Sequence, residues 1–521
     1  MKTRKTKILF FLSLLFSSAV FTQNYNPDFF PIGVWSVKGD FRSVDDFLFN
    51  VNTAASYHHT SFSNLKSEGF NAMYLSYDPI GYTLDTILDI AELYNMKVIP
   101  PMQNLSWLIS QSNDQTVTDD DIVQAIMNDS IDRIKRSSAI LGYYLYDEPL
   151  PGWIDFDVLH NARNILTNMT SDAPHPVLST WNDEQHMSYI DSYLNLDVLM
   201  MDTYPFEDGD AEGDLSDYMP SYFSSMPDPP PYSNYINTVR ENHCKVNKRP
   251  FWVVLQAFGD VETPENGGYW RQAYPKEIRL EVYLAIMQGA KGIWYFLYES
   301  EFPYLLGMLD VSGQPTQRLL EVADVNTEIN EISSTLLKLS VCNNQSGISI
   351  DNGEVKLHVD SSATSPEKYV IAVNTDVFSS STPTITIKKE DIGYDVQYIQ
   401  NVYNHQLYNY TENETEIYFS VPIDEGSGVL LKLSSQPSSI DQHKPKNSVR
   451  LYPNPVKDNL FVQRGDNNTA PFGIYDLHGH MKINGTLLKN NTIKVNSLSP
   501  GVYLLKLKTN QTVITTKFIK M

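Results

Sequence analysis

The sequence predicts an α/β protein: a (β/α)8 TIM barrel followed by a β-sandwich and a small all-β C-terminal domain. Three observations lead there. Eight short apolar or aromatic runs alternate with helical patterns between residues 24 and 338. Continuous apolar runs suit parallel strands, because helices cover both faces of such a sheet. From residue 339 the runs become short, alternating and β-branched, with turn residues between them, which is the pattern of antiparallel strands. Finally, the run Leu141–Tyr146 stops at Asp147-Glu148-Pro149. A buried strand that stops at a carboxylate is how a barrel presents an acid at its mouth.

Taken in order, residues 1–23 read as a secretory signal peptide. Lys2, Arg4, Lys5 and Lys7 precede the short apolar stretch Ile8–Phe21, which carries small residues near its end. The strand candidates of the first large region, 24–338, are Pro31–Val37, Phe70–Tyr77, Met96–Met102, Ile140–Tyr146, His175–Trp181, Asp197–Tyr204, Phe251–Phe258 and Gly292–Tyr298. Asp85–Tyr94 and Glu277–Gln288 carry apolar residues at helical spacing. An accessory β-sandwich of about seven strands is expected over 339–435. Residues 436–448, rich in Ser, Pro, Gln and Lys, read as a linker, and 449–521 as a separate β-patterned unit.

Thirty-nine basic against 62 acidic residues leave a net charge of −23. That balance argues against nucleic acid or an anionic membrane surface as partner. Past the leader no run approaches the roughly 20 apolar residues of a membrane helix, so no membrane span is expected in the mature chain. Cys244 and Cys342 make no metal-ligand spacing and read as two buried thiols rather than one disulfide. No Gly-rich phosphate loop and no His/Cys cluster occurs, so neither a metal nor an organic cofactor is expected. The acidic stretch Glu207–Asp217 misses the spacing of a calcium loop and reads as a solvated loop.

Chemistry in such a barrel sits where the strands end. Those ends offer Trp35, Tyr77-Asp78, Asp147-Glu148, Trp181-Asn182, Asp202 with Tyr204, Gln256, and Tyr298-Glu299, with Trp294 inside the eighth strand. Flat aromatic faces stack on sugar rings, while carboxylates and amides bond hydroxyl groups, so the mixture suits a carbohydrate. The expected substrate-binding residues are Trp35, Tyr77, Asp78, Trp181, Asn182, Tyr204, Gln256, Trp294 and Tyr298. A glycosidic oxygen leaves as a poor alkoxide unless an acid protonates it. A buried carboxyl beside a second carboxylate is suited to hold that proton near neutral pH.

Two resemblances sharpen these expectations. The C-terminal unit carries Leu451-Tyr452-Pro453-Asn454-Pro455, then Ile474-Tyr475-Asp476-Leu477-His478-Gly479, then Leu498-Ser499-Pro500-Gly501-Val502-Tyr503. It resembles the type IX secretion C-terminal sorting domain of Bacteroidetes. That implies export across the outer membrane, with the secretion machinery as partner of 449–521. Asp147-Glu148-Pro149, with Gly142 before it and Gly289-Ala290-Lys291-Gly292-Ile293 entering the eighth strand, resembles the large barrel clan of glycoside hydrolases. The resemblance implies that Glu148 is the general acid/base, and it expects a nucleophilic Glu at the end of the seventh strand. Here that place holds Gln256, and an amide cannot form a glycosyl ester. Three alternatives stay open. Asp202 or Glu299 supplies the second carboxylate, with about 5–5.5 Å between carboxyl groups for retention and about 6.5–9.5 Å for inversion. Or a substrate N-acetyl group attacks its own anomeric carbon while Asp147 orients it, resembling the barrel hexosaminidases. Or the rim binds glycan at the cell surface without turnover.

Overall fold

The computed structural model describes residues 28–35, 62–75, 84–150, 152–181, 193–207, 212, 232–244, 249–261, 270–301, 304–360, 362 and 367–436 of a first unit, Met1–Gln436. In a second unit, Pro437–Met521, it describes 450–452, 456, 459–463, 469–476, 480–487, 491–499, 501–508 and 513–520. The expected signal peptide, Tyr77, Asp78, Asn182 and most of the Glu207–Asp217 stretch lie outside the described residues.

The first part of unit one is built on parallel strands. Ile32–Val34 pairs with Gly292–Phe296, which pairs with Phe251–Gln256, then Leu199–Met201, then Thr180–Trp181. The other strands form parallel pairs too: Tyr143–Tyr144 with Val177–Leu178, and Ala72–Tyr74 with Lys97–Ile99. A parallel bridge joins Val98 to Ile140, and the Asn71 N–H donates to the Ile32 carbonyl at 3.0 Å.

Side chains alternate between two cores. One lies inside the strands and gathers Trp35, Ala72, Ile99, Leu141, Tyr144, Leu178, Met200, Trp252, Val254 and Trp294. The other lies between strands and helices and takes the opposite parity, for example Val98, Tyr143, Val177, Val253, Leu255 and Ile293. Gly33 is needed at the inner face, because a Cβ there would stand 2.3 Å from the Trp294 indole. Helices cover the outer face. In Leu84–Leu93 the buried residues are Ile87, Leu88, Ile90 and Ala91, one apolar stripe. Phe156–Met169 starts at Asp155, whose carboxylate accepts the Asp157 N–H at 2.8 Å as an N-cap.

Helix Pro275–Met287 is buried all round from Glu277 to Met287. It has neighbours on both sides: the parallel strands, and Tyr369, Ile371, Val373 and Leu430 of the antiparallel part. Helix Gln317–Lys338 leads into that part at Leu339. There a six-stranded and a four-stranded antiparallel sheet share a core that includes Leu357, Val370, Ile385, Ile387, Ile399, Phe419 and Leu431. Among the described residues ten strands occur where about seven were expected, because short pieces such as Leu407–Tyr408 and Thr411–Glu412 are too brief to carry an alternating pattern. Cys244 is buried, Cys342 is half-buried, and both are free thiols.

The second unit has a three-stranded and a four-stranded antiparallel sheet around its own core of Val456, Leu460, Ile474, Leu505 and Phe518. Among the described residues no helix is long and apolar enough to cross a membrane.

Candidate functional site

The fourth strand ends in an interlocked set of polar groups. Tyr144 Oη and Thr180 Oγ1 lie within hydrogen-bond reach of Asp147 Oδ1, at 2.5 and 2.6 Å, and of each other, so their two protons make two of the three possible bonds. Ser179 Oγ donates to the Tyr146 carbonyl at 2.5 Å, which ties the ends of the fourth and fifth strands together. Adjacent side chains in an extended strand point to opposite faces. Glu148 breaks that alternation with a left-handed backbone, φ 40°. Non-glycine residues rarely hold this conformation unless their surroundings enforce it.

As a result, the carboxylates of Asp147 and Glu148 both act on Asp202, from the end of the sixth strand. Asp202 is 5% exposed, its N–H donates to the Trp181 carbonyl at 3.2 Å, its buried Oδ1 has no hydrogen-bond partner among the described residues, and the charge of Glu148 acts on its carboxyl. Burial, and then the charges of Glu148 and Asp147, push Asp202 well above the ordinary carboxylate range. Like charges this near oppose ionisation, which together with burial favours the protonated form of Asp202. Burial and the nearby Asp147 and Asp202 charges also hold the Tyr144 hydroxyl protonated. Glu148 is half-buried and Asp147 is exposed, so the proton is reachable from solvent through Glu148. Among the described residues no group of three or more His, Cys, Asp or Glu is arranged to hold a metal ion.

The other expected residues are scattered. Trp35 is buried inside the strands, against Tyr74 at 4.2 Å between ring centres, Tyr144 at 5.0 Å and Trp294 at 6.3 Å. Trp294 is fully buried in the same cluster. Trp181 faces the helix-side core; counting by twos from the inner Leu178 puts Thr180, not Trp181, on the inner face. Tyr298 also lies in the helix-side core, edge-on to Phe70 at 6.0 Å, and its hydroxyl donates to Glu68 at 2.8 Å. Burial pushes the Glu68 carboxyl up to about 8. Glu299 is 1% exposed and its charge acts on Tyr298, while the carboxylates acting on Asp202 are Glu148 and Asp147. Tyr204 is half-buried and heads an aromatic group with Phe258 at 4.9 Å, Trp270 at 5.8 Å and Phe296 at 6.0 Å. Tyr144, Thr180, Phe258 and Trp270 are site neighbours that the sequence reading did not select.

Gln256 is fully buried and all its amide groups are engaged within the protein. Its Nε2 donates to the carbonyls of Phe206 at 3.0 Å and Arg271 at 3.1 Å, and its Oε1 accepts the Phe206 N–H at 2.8 Å. It fastens the segment after the sixth strand to the one after the seventh. A glutamate there would have one acceptor satisfied and two carbonyls facing its charge.

A cavity of about 530 Å³ opens beside this rim rather than over the carboxylates. Asp260, Trp270, Arg271, Tyr274 and Arg318 are among its walls. It touches the rim through Trp270, which packs against Tyr204 and Phe258. Asp260 is the one carboxylate among the described walls of the cavity.

Comparison with known proteins bears on both units. Residues 450–521 match the secretion system C-terminal sorting domain. The chain is therefore addressed by type IX secretion to the cell surface or extracellular space. No curated protein matches the chain. Among solved structures, it is similar to a glycoside hydrolase family 5 protein from Bacteroides vulgatus ATCC 8482, at 12% identity and a TM-score of 0.51, over 80% of this chain and 92% of that one. It also matches a family 39 glycoside hydrolase from Bacteroides cellulosilyticus WH2 at 12% identity and a TM-score of 0.45, over 78% of this chain and 81% of that one. At such identities the first likeness speaks for the fold alone.

Proposed function

We propose that residues 24–338 close into a (β/α)8 barrel that hydrolyses glycosidic bonds, with Glu148 as the general acid/base. A sandwich over 339–435, a linker over 436–448 and the sorting domain over 449–521 complete the chain, after a signal peptide at 1–23. The barrel reading is supported by the chain of parallel contacts and by an inner cluster fed from all eight strands. The observation that carries the function is the convergence of the Glu148 and Asp147 carboxylates on the buried Asp202 at the ends of the fourth and sixth strands.

Burial and the charge of Glu148 hold the Asp202 carboxyl protonated, and a neutral carboxyl is a poor nucleophile. Asp202 therefore reads as the protonated neighbour of Glu148 and not as a nucleophile. Glu148, the more exposed of the two, delivers the proton to the leaving oxygen, and Asp202 holds it between turnovers. Asp147 is the remaining carboxylate. Tyr144 and Thr180 pin one of its oxygens, and the residue is exposed, so it is suited to orient an attacking water or a substrate N-acetyl group. Tyr204, with its aromatic neighbours, is suited to stack on a sugar ring.

Gln256 favours a second reading, a surface glycan-binding protein without turnover, because the seventh strand ends in an amide engaged by two backbone carbonyls and offers no nucleophile. Reducing-end release from a broad glycan panel separates the two. A hydrolase releases sugar, and Glu148→Gln binds the same glycan without cleaving it. Binding by the wild-type protein with no release from any glycan would leave the binding reading alone.

A further inference from the structure

Among the described residues Arg318 is a buried cation without a counter-ion. It is 9% exposed. Its guanidinium donates to Gln272 Oε1 and to the Gly307 carbonyl, both at 2.5 Å, and its Nε has no partner. No carboxylate pairs with it among the described residues, and burial alone lowers its pKa to about 10. A buried guanidinium left unpaired is costly, and such a charge usually faces a partner.

Arg318 also stands in the first turn of helix Gln317–Lys338, at the positive end of the helix dipole, where a cation is disfavoured and an anion favoured. That helix end has no side-chain cap, because the Thr316 hydroxyl donates to the Met308 carbonyl at 2.6 Å instead. Both features converge on the cavity of about 530 Å³, which lies in the size range of small-ligand sites.

The remaining walls suit a sugar. Trp270 brings an aromatic ring and Asp260 a carboxylate whose Oδ2 accepts the Trp270 N–H at 3.0 Å, while the Arg271 guanidinium lies over the Tyr274 ring. Arg271 is already neutralised by Glu277 through paired bonds of 2.7 and 2.8 Å, which leaves Arg318 as the free positive charge of the wall.

We propose that this cavity is an acidic-sugar subsite: Arg318 and the uncapped end of helix Gln317–Lys338 bind the carboxylate or sulfate ester of a glycan unit, with its ring against Trp270. The idea rests on the glycan reading of the rim, since Trp270 joins the cavity to Tyr204. It adds that the substrate is an anionic polysaccharide, despite the strongly acidic chain.

The test is a binding titration of the full mature chain by ligand-observed NMR and tryptophan fluorescence, with glucuronate, glucose 6-sulfate, glucose and inorganic sulfate. At least one acidic sugar should bind about tenfold or more tighter than glucose. Which acidic sugar binds separates carboxylate from sulfate recognition. Arg318→Gln should abolish the preference and Arg318→Lys should keep part of it. The comparison of acidic and neutral sugars on the wild-type protein stands even if a variant does not fold. Equal binding of glucose and both acidic sugars, a preference that survives Arg318→Gln, or inorganic sulfate binding as tightly as the sugars would each overturn the proposal. Glu148→Gln should leave this binding intact, so a chain that cleaves nothing yet keeps the acidic preference refutes only the hydrolase reading.

Discussion

Replacing Asp202 with asparagine isolates the proton held on its carboxyl. The Asp202 carboxyl is held well above the ordinary range by burial and by the charges of Glu148 and Asp147, whereas in the unfolded chain it titrates near about 3.9. Between those two values the native state binds more protons than the unfolded state. The stability this proton confers is therefore complete below about pH 4 and is lost as pH rises through the folded value. One proton gives a slope of at most about 1.4 kcal/mol per pH unit. Asparagine keeps the shape without titrating. The stability of the wild-type protein relative to Asp202→Asn should therefore fall as pH rises from about 4, by up to that slope, until the folded carboxyl ionises. Denaturant unfolding followed by tryptophan fluorescence at closely spaced pH values measures it, since Trp35, Trp252 and Trp294 lie inside the unit concerned. Parallel pH curves for the two proteins would refute the protonated Asp202.

Other outcomes follow from the same contacts. Glu148→Gly relieves a left-handed backbone and should leave the fold as stable or up to about 1 kcal/mol more stable, read as a rise in Tm, while activity disappears. Gln256→Glu removes two amide donors from buried carbonyls and should cost about 2–4 kcal/mol in urea unfolding, with no gain in activity. Tyr144→Phe and Thr180→Val each take one donor from Asp147, and each should lower kcat about tenfold with little change in KM. Deleting residues 450–521 should hold the chain in the periplasm, as read by cell fractionation; secretion of the shortened chain would contradict the sorting role.

Much of this architecture was legible because burial leaves a local trace. Phe251–Gln256 is buried at every position and reads as a parallel strand without any partner in view. Asp147 and Glu148 were legible for the same reason, as an abrupt polar stop after an apolar run. What was not legible is non-local. The contact between Glu148 and Asp202 joins strands 54 positions apart in sequence, about which periodicity is silent. The left-handed turn that aims Glu148 is carried by a residue type that rarely adopts it. Trp181 and Tyr298 drew attention by size, yet both side chains face the helices. For Trp181, alternation from Leu178 was enough to reveal this. For Tyr298 it was not, because the strand has already ended at Phe296. Gln256 looked like a lost nucleophile; its bonds to Phe206 and Arg271 mark it as a structural amide.

The most direct test compares two leaving groups. Wild-type protein and Glu148→Gln would be assayed on a natural oligosaccharide and on the dinitrophenyl glycoside of the same sugar, whose leaving group needs no protonation. If Glu148 is the proton donor, the variant loses most activity on the oligosaccharide and far less on the activated glycoside. An equal loss on both, or none on either, contradicts it.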